Sequence, residues 1–268
     1  MEVIRAIVFS AVQGLTEFFP VSSTAHLILL PRFTGWEDPG PTFDVALHLG
    51  TLIPLLIYFR SEWFQLAVGG FKLLRGQPDQ NTRLAVALVT ATAPGALAGV
   101  FFQDAIETTL RNPLIIGATL IILALVLLLA ERIGKRDTEL EYISFDDAMI
   151  VGCAQALALI PGVSRSGVTI TAGLFRGLKR EDAARFSFLL STPIIAGAGA
   201  KKLFEIAREG LPYQIVPFIA GIIAAAIVGY LAIAFLMRYL SVHNVMVFVY
   251  YRIALGIIVF ITFSSIFR

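Results

Sequence analysis

From Leu84 to Phe102 the chain runs without a single charged residue, and it does so again from Leu114 to Ala130. Runs of this length and apolarity are what a helix needs to cross about 30 Å of hydrocarbon. Lipid offers no partner for backbone N–H and C=O groups, so a spanning segment must satisfy them internally, as a helix does. Composition agrees: 57% of the residues are hydrophobic and 15% charged, against about 25% charged in a soluble chain. The expectation is an all-α integral membrane protein, a single membrane domain over residues 1–268. The formal charge of +2 gives no reason to expect a nucleic-acid partner. The lone cysteine, Cys153, rules out an intrachain disulfide and any multi-cysteine metal site. It reads as a small residue on a packed helix. The N-terminus has no small-residue cleavage pattern after an apolar core, and no cleaved signal is expected.

The stretch that breaks the pattern of plain spans is Gln13-Gly-Leu-Thr-Glu17-Phe-Phe-Pro20-Val-Ser22-Ser23-Thr24-Ala-His26. Gln13 and Glu17, four apart, share a helix face. Pro20 has no N–H and biases Phe19 away from helix, so the first helix stops there. Ser22, Ser23 and Thr24 are N-cap residues for a second helix that carries His26. Each arm is too short to span alone, which predicts a re-entrant helix–break–helix hairpin over residues 1–31. A polar turn follows over 32–41, then a span over 43–59, a solvated loop over 60–83, and spans over 84–102 and 114–130. Residues 131–147 form a charged linker.

Ala148 to Ser164 then repeats the opening theme, with a break at Pro161-Gly162 and a restart at Val163-Ser164-Arg165-Ser166-Gly167. A shift of 142 brings Gln13 onto Gln155, Leu15 onto Leu157, Val21 onto Val163, Ser22 onto Ser164 and Thr24 onto Ser166, while Glu17 falls on Leu159. This reads as an internal repeat, 1–131 and 146–268. Spans over 186–200, 213–237 and 245–267 complete the second half. Each half is then one re-entrant hairpin plus three transmembrane helices. Three spans change sides and a hairpin does not, so the repeat is inverted, the arrangement that places a site where broken helices meet. Counting spans puts Arg60, Lys72, Arg75, Arg83, Arg132, Lys135, Arg136, Arg176, Lys179, Arg180, Arg185 and Arg238 on one side. Arg5, Arg32, Arg111, Lys201, Lys202, Arg208 and Arg268 fall on the other. The positive-inside rule makes the first group cytoplasmic and turns the mouth of the first hairpin outward.

In this arrangement two helix N-termini converge, at Ser22–Ser23 and at Ser164–Arg165. Free N–H groups and the positive end of the helix dipole favour an anion. Arg165 adds a guanidinium fork suited to phosphate oxygens, and Ser23, Thr24, Ser164, Ser166 and Thr169 add hydroxyls. Glu17 repels an anion unless a divalent cation lies between them, and Mg2+ or Ca2+ takes oxygens from carboxylate and phosphate together. Gln13 offers a further neutral oxygen. His26 is placed to take a proton from Ser23 or water, or to give one to a leaving oxygen. Against these stand plainer readings. Capping alone explains Ser22, Thr24, Ser164 and Ser166 as well as ligand contact does, and Glu17–Arg165 can be a structural ion pair. Ionisable groups at membrane depth are costly, which tilts Glu17, Arg165 and His26 toward function. Asp44 and His48, four apart, read as structural, and Arg252 as snorkelling or paired inside the bundle.

The stretch from Gln13 to His26 resembles the first signature of the undecaprenyl pyrophosphate phosphatases of the bacitracin-resistance type, and Pro161-Gly-Val-Ser-Arg165-Ser-Gly-Val-Thr169 resembles the second. The resemblance extends over essentially the whole chain. That family accepts Glu or Gln at the Gln13 position, and Gln there is neither acid nor base. Ala25 stands where Gly is common. The resemblance implies a hydrolase of the cytoplasmic membrane that removes the terminal phosphate of undecaprenyl pyrophosphate on the outer face. It also implies a divalent-metal requirement and a homodimer among membrane lipids. Combined with the residues, Glu17, Ser23, His26 and Arg165 are the expected catalytic set. Gln13, Ser22, Thr24, Ser164, Ser166 and Thr169 bind substrate, and Glu17 with Gln13 holds the metal. Ser23 attacks phosphorus with His26 as base, or His26 activates water; the residues leave both open. The competing class is a secondary transporter or lipid flippase, which shares inverted repeats and broken helices but needs no nucleophile–base pair.

Overall fold

A computed structural model describes residues 2–210 and 215–264, with side chains for all of these except 41, 42, 44–46, 103–109 and 209. Among the described residues every regular element is helical, apart from one isolated parallel bridge between Thr138 and Leu178. The helices are α1 (Val3–Phe18), α2 (Ser23–Thr34), α3 (Pro41–Tyr58), α4 (Arg60–Leu74), α5 (Gln80–Thr109), α6 (Pro113–Ile133), α7 (Phe145–Ala156), α8 (Arg165–Phe175), α9 (Arg180–Glu209), α10 (Ile215–Leu240) and α11 (Met246–Ser264). Five of them, α5, α6, α9, α10 and α11, have stretches long and apolar enough to cross a membrane. The chain is thus a multi-pass all-α membrane protein. The sixth expected span is α3, whose shorter apolar stretch runs Leu47–Tyr58. The expected start of one span at Tyr213 and end of another at Phe267 lie outside the described residues, as does the Asp44 side chain.

Local chemistry sets the boundaries. The α1 helix stops at Phe18, with Phe19 extended at φ −69°, ψ 141°, one residue ahead of Pro20. Asn112 caps α6 by accepting from Leu114 N–H at 2.8 Å, with Pro113 at the first helical position. Ser144 caps α7 by accepting from Asp147 N–H at 3.1 Å. Several expectations shift. The solvated loop over 60–83 is largely the helix α4, which packs on α5 and leaves Phe64, Phe71 and Leu74 exposed. The linker over 131–147 is shorter, because α6 runs on to Ile133, a 3-10 turn occupies Leu140–Tyr142, and α7 already begins at Phe145. The α2 helix continues past Arg32 to Thr34 and ends at Gly35 in the left-handed region. Cys153 is exposed on α7 rather than packed.

Close packing follows the small residues. A Cβ on Gly14 of α1 would sit 2.8 Å from Ala225 O and 2.9 Å from Gly229 N on α10. One on Gly256 of α11 would lie 2.9 Å from Gly117 O on α6. These helices therefore touch backbone to backbone, the contact that small residues permit in lipid. The α3 helix joins α1 against α10, α7 packs on α5, and α8 lies between α6, α7 and α9.

The charged connections gather into ion-paired groups. Arg136 meets Glu131 at 2.6 Å, and Arg180 meets the same carboxylate. Arg176, just after α8, pairs with Asp147 at the start of α7. Arg185 lies 3.2 Å from both Glu62 and Glu141. Apart from these, Arg111 pairs with Asp38 at 3.2 Å, and Arg5 of α1 lies over the Trp36 ring just beyond α2.

Candidate active site

Both breaks restart on the same kind of cap, although the second alone contains a 3-10 turn, Leu157–Leu159. Ser22 and Ser164 are the N-caps of α2 and α8, and both sit at positive φ, 74° and 72°. A side chain that lacks glycine's freedom is strained there, a cost of order 1–3 kcal/mol, and such strain persists only where the surroundings enforce it. The cap bonds are part of that enforcement. Ser22 Oγ accepts from Ala25 N–H at 3.4 Å, and Ser164 Oγ from Gly167 N–H at 3.0 Å. The first backbone N–H groups of α2 and α8 have no intrahelical acceptor and remain available to a ligand.

What holds the breaks in place is Arg252 of α11, which is 1% exposed. Its Nη2 donates to Gly162 O at 2.9 Å and to Val163 O at 3.2 Å; its Nη1 donates to Pro20 O at 3.1 Å and to Val163 O. Its Nε donates to Leu120 O at 3.2 Å. One guanidinium thus stitches both breaks and α6 together through backbone carbonyls. The expectation that Arg252 pairs within the bundle is met, with carbonyls as its partners. Ser166 adds a second stitch, donating to Glu17 O at 3.2 Å or Phe19 O at 3.0 Å. Gly162, at φ 93°, turns the second break against α6, where Thr119 Oγ1 donates to Pro161 O at 2.7 Å.

With the breaks fixed, the two helix N-termini line one small pocket. Its walls are Glu17, Ser22, Ser23, Thr24, His48, Ala158, Ser164 and Arg165, around about 290 Å3 of space that includes its open mouth. Glu17 is the hub. Ser23 Oγ donates to Glu17 Oε2 at 2.6 Å, and Gln13 Nε2 donates to the same oxygen at 3.0 Å. Arg165 Nη1 lies 3.5 Å from Glu17 Oε1, and His48 Nε2 lies 3.5 Å from Oε2. A carboxylate 8% exposed thus accepts two hydrogen bonds and has a guanidinium and an imidazole within 3.5 Å. One buried oxygen is left over: Gln13 Oε1 has no partner among the described residues. An amide oxygen and a carboxylate side by side are hard oxygen donors, and they fit a divalent cation that completes its shell with phosphate or water.

The remaining expected residues lie around this pocket. Thr169 is buried behind it, its Oγ1 donating to Arg165 O at 2.7 Å and sharing a hydrogen bond with Ser187 at 2.6 Å. Ser166 faces the first break rather than the pocket. His26 is not among the lining residues: its Nδ1 lies 2.7 Å from Ser22 O and its Nε2 lies 2.6 Å from Tyr251 Oη on α11. Two neighbours escaped the sequence reading. The sequence reads His48 as structural, and the only signal of its place in the pocket wall is a polar residue inside an apolar run. Tyr251 carries no sequence signal beyond adjacency to Arg252.

Comparison with known proteins adds the following. The profile of the family described as "Bacitracin resistance protein BacA" matches residues 6–258. The undecaprenyl-diphosphatase of Moorella thermoacetica is 49% identical over 264 residues, covering 98% of each chain. That of Desulforudis audaxviator is 49% identical over 261 residues, 97% of this chain and 98% of its own. That of Elusimicrobium minutum is 49% identical over 263 residues, 98% of each.

Proposed function

The chain belongs to the bacitracin resistance protein BacA family, and on that premise we propose that it is a membrane undecaprenyl-diphosphatase, hydrolysing undecaprenyl pyrophosphate to undecaprenyl phosphate and inorganic phosphate. The observation that carries the reading is the hub at Glu17, where a serine hydroxyl and an arginine meet one carboxylate at 2.6 Å and 3.5 Å, beneath two helix N-termini. The helix ends and Arg165 bind the pyrophosphate oxygens and stabilise charge as the phosphoryl group transfers. Glu17 orients Ser23 and accepts its proton as Oγ attacks the terminal phosphorus. Ser22, Thr24 and Ser164 line the same pocket and donate to the phosphates. His26 handles the proton of the hydrolytic water. Glu17 and Gln13 Oε1 would hold a Mg2+ or Ca2+, which when bound supplies charge neutralisation. The isoprenoid tail lies in lipid between the helices.

We further propose how the chain sits in the membrane. The ends of the first hairpin meet near Arg5 and Trp36, beside the Asp38–Arg111 pair at the far end of α5. The ends of the second meet at Asp147–Arg176, beside the Glu131 cluster at the other end of α6. Mouths at opposite ends of α6 support two inverted halves, 1–131 and 146–268. With the positive-inside rule they support a site open to the outer face of the cytoplasmic membrane. A homodimer rests on the family resemblance alone. The relatives are named for a phosphohydrolase, and a transporter or flippase has no comparable support.

The test is phosphate release from undecaprenyl pyrophosphate by the purified protein in detergent, with Mg2+, with Ca2+ and with chelator. Metal-dependent release is expected; its absence with lipid binding intact sinks the hydrolase reading. Ser23→Ala is expected to lower turnover at least about 100-fold, and residual turnover above that level makes water the attacker.

A further inference from the structure

Hydrolysis requires a water molecule to lose a proton, whichever group attacks first, and His26 is the imidazole that the proposed function assigns to it. The geometry around His26 restricts how. Nδ1 faces the Ser22 carbonyl at 2.7 Å. A carbonyl only accepts, so Nδ1 carries the hydrogen and donates it. In the neutral ring the lone pair is then on Nε2. That atom meets the hydroxyl of Tyr251 at 2.6 Å, and the two rings lie nearly parallel, 9° apart, with centroids 5.7 Å apart. A phenol can donate to neutral imidazole and accept from imidazolium, so the contact survives either protonation state. Arg252, next along α11, is the charged neighbour acting on His26, and its guanidinium is committed to the carbonyls of the breaks. Ser22 O is itself fixed, because it also accepts the first α2 backbone bond from His26 N at 3.3 Å.

We propose that Tyr251 is the positioning residue of His26: with the Ser22 carbonyl it clamps the imidazole in the Nδ1–H tautomer, and its hydroxyl is the route by which Nε2 receives the water proton. The step balances. Tyr251 gives its hydroxyl proton to Nε2 and takes one from water at the same oxygen. The phenol begins and ends neutral, the imidazole becomes imidazolium, and the water is left as the hydroxide equivalent that attacks phosphorus. Tyr251 is 45% exposed and His26 half-buried. Among the described residues no carboxylate bonds to His26, and the triad logic of base and orienting partner is met here by a carbonyl and a phenol.

The inference rests on the proposed phosphatase reading, and the test separates the two. Phosphate release is measured for wild type, Tyr251→Phe, His26→Ala and the double variant. 15N spectra of histidine-labelled protein are recorded alongside; the chain has only three histidines. Tyr251→Phe keeps the stacked ring and loses only the hydroxyl. It is expected to lower kcat about 10- to 100-fold with KM within about two-fold, in the range of general acid–base effects. The double variant is expected to be no slower than His26→Ala, since both remove one relay. The wild-type His26 spectrum is expected to show protonated Nδ1 and a hydrogen-bonded Nε2, with the Nε2 signal alone moving in Tyr251→Phe while His48 and His243 report an intact fold. Wild-type kcat in Tyr251→Phe, losses that multiply in the double variant, or an Nε2–H tautomer in the wild type each overturns the proposal. The tautomer result needs no variant to fold. Full turnover in His26→Ala overturns the role of His26 and this inference with it. A dead His26→Ala beside a normal Tyr251→Phe overturns the inference alone.

Discussion

At the first break Glu17 sits four residues beyond Gln13 and takes its amide N–H at 3.0 Å. At the second, Leu159 stands where the carboxylate would be, and the Gln155 amide, 3% exposed, has no partner among the described residues for either its oxygen or its nitrogen. The caps nevertheless correspond: both are serines at positive φ, 74° and 72°. The common geometry leaves a helix N-terminus at each break, the end of a helix that favours an anion. The difference separates the side chains, with the Glu17 carboxylate and Ser23 on the first hairpin and Arg165 on the second. A repeat that kept identical chemistry would bring two carboxylates together against a pyrophosphate, which like-charge repulsion opposes. At the second break the buried Gln155 has no carboxylate beside it and no partner among the described residues.

The comparison can be broken most directly at Glu17. Glu17→Gln leaves Ser23, Arg165 and His48 without their shared anion, and kcat is expected to fall about 1,000-fold in phosphate release. A fall below 10-fold would show that the two helix ends and Arg165 suffice. Next is the stitch that makes both breaks one site. Arg252→Met leaves the carbonyls of Pro20, Leu120, Gly162 and Val163 without their buried donor, and a loss of at least about 3 kcal/mol is expected from unfolding in mixed micelles. The glutamines sharpen the contrast. Gln155→Met removes an unpartnered buried amide and is expected to be neutral or stabilising by about 1 kcal/mol, whereas Gln13→Met is expected to reduce activity and raise the divalent-cation concentration needed for half-maximal rate. Equal effects of the two would mean that the halves are not differentiated at this position. The smallest effect is a control remote from both hairpins. Lys72, at 2.6 Å, and the Thr82 N–H hold the Asp79 carboxyl down at about 2 from its ordinary 3.8. A depressed carboxyl stabilises the fold above its ordinary value and stops doing so as pH falls toward the depressed one. The melting difference between wild type and Asp79→Asn is therefore expected to shrink between pH 3.8 and about 2, with turnover at neutral pH unaffected.

Much of this was legible in the sequence because it is local. Pro20 ends α1 through its missing N–H and its effect on Phe19, both within one turn. Ser22 and Ser164 announce caps, and the shift of 142 residues pairs them. The charge-free runs give α5 and α6, although α5 extends to Gln80 and Thr109, since polar residues continue a helix beyond hydrocarbon without any change of period. What stayed hidden depends on contacts between distant helices. His48 meets Glu17 because α3 packs beside α1, and nothing in its own neighbourhood distinguishes it from a histidine in a bundle. Tyr251 lies 225 positions from His26. Arg252 chooses backbone carbonyls, and every residue has one, so no side-chain pattern could name its partners. The site residues drawn from the two signatures mostly converge on one pocket, yet the direction of the His26 ring had to come from the fold.

That choice of partners by Arg252 bears on the order in which the molecule can be completed. The carbonyls at positions 20, 162 and 163 belong to segments made early and midway through the chain, and their donor arrives on the last helix. Until α11 is inserted, both breaks hold bare carbonyls at membrane depth and the serine caps have lost part of what enforces their left-handed backbone. A nascent chain halted after α10 therefore has its carboxylate, serine and arginine all translated, with Ser166 as the stitch between its two breaks and the donor for four carbonyls still to come.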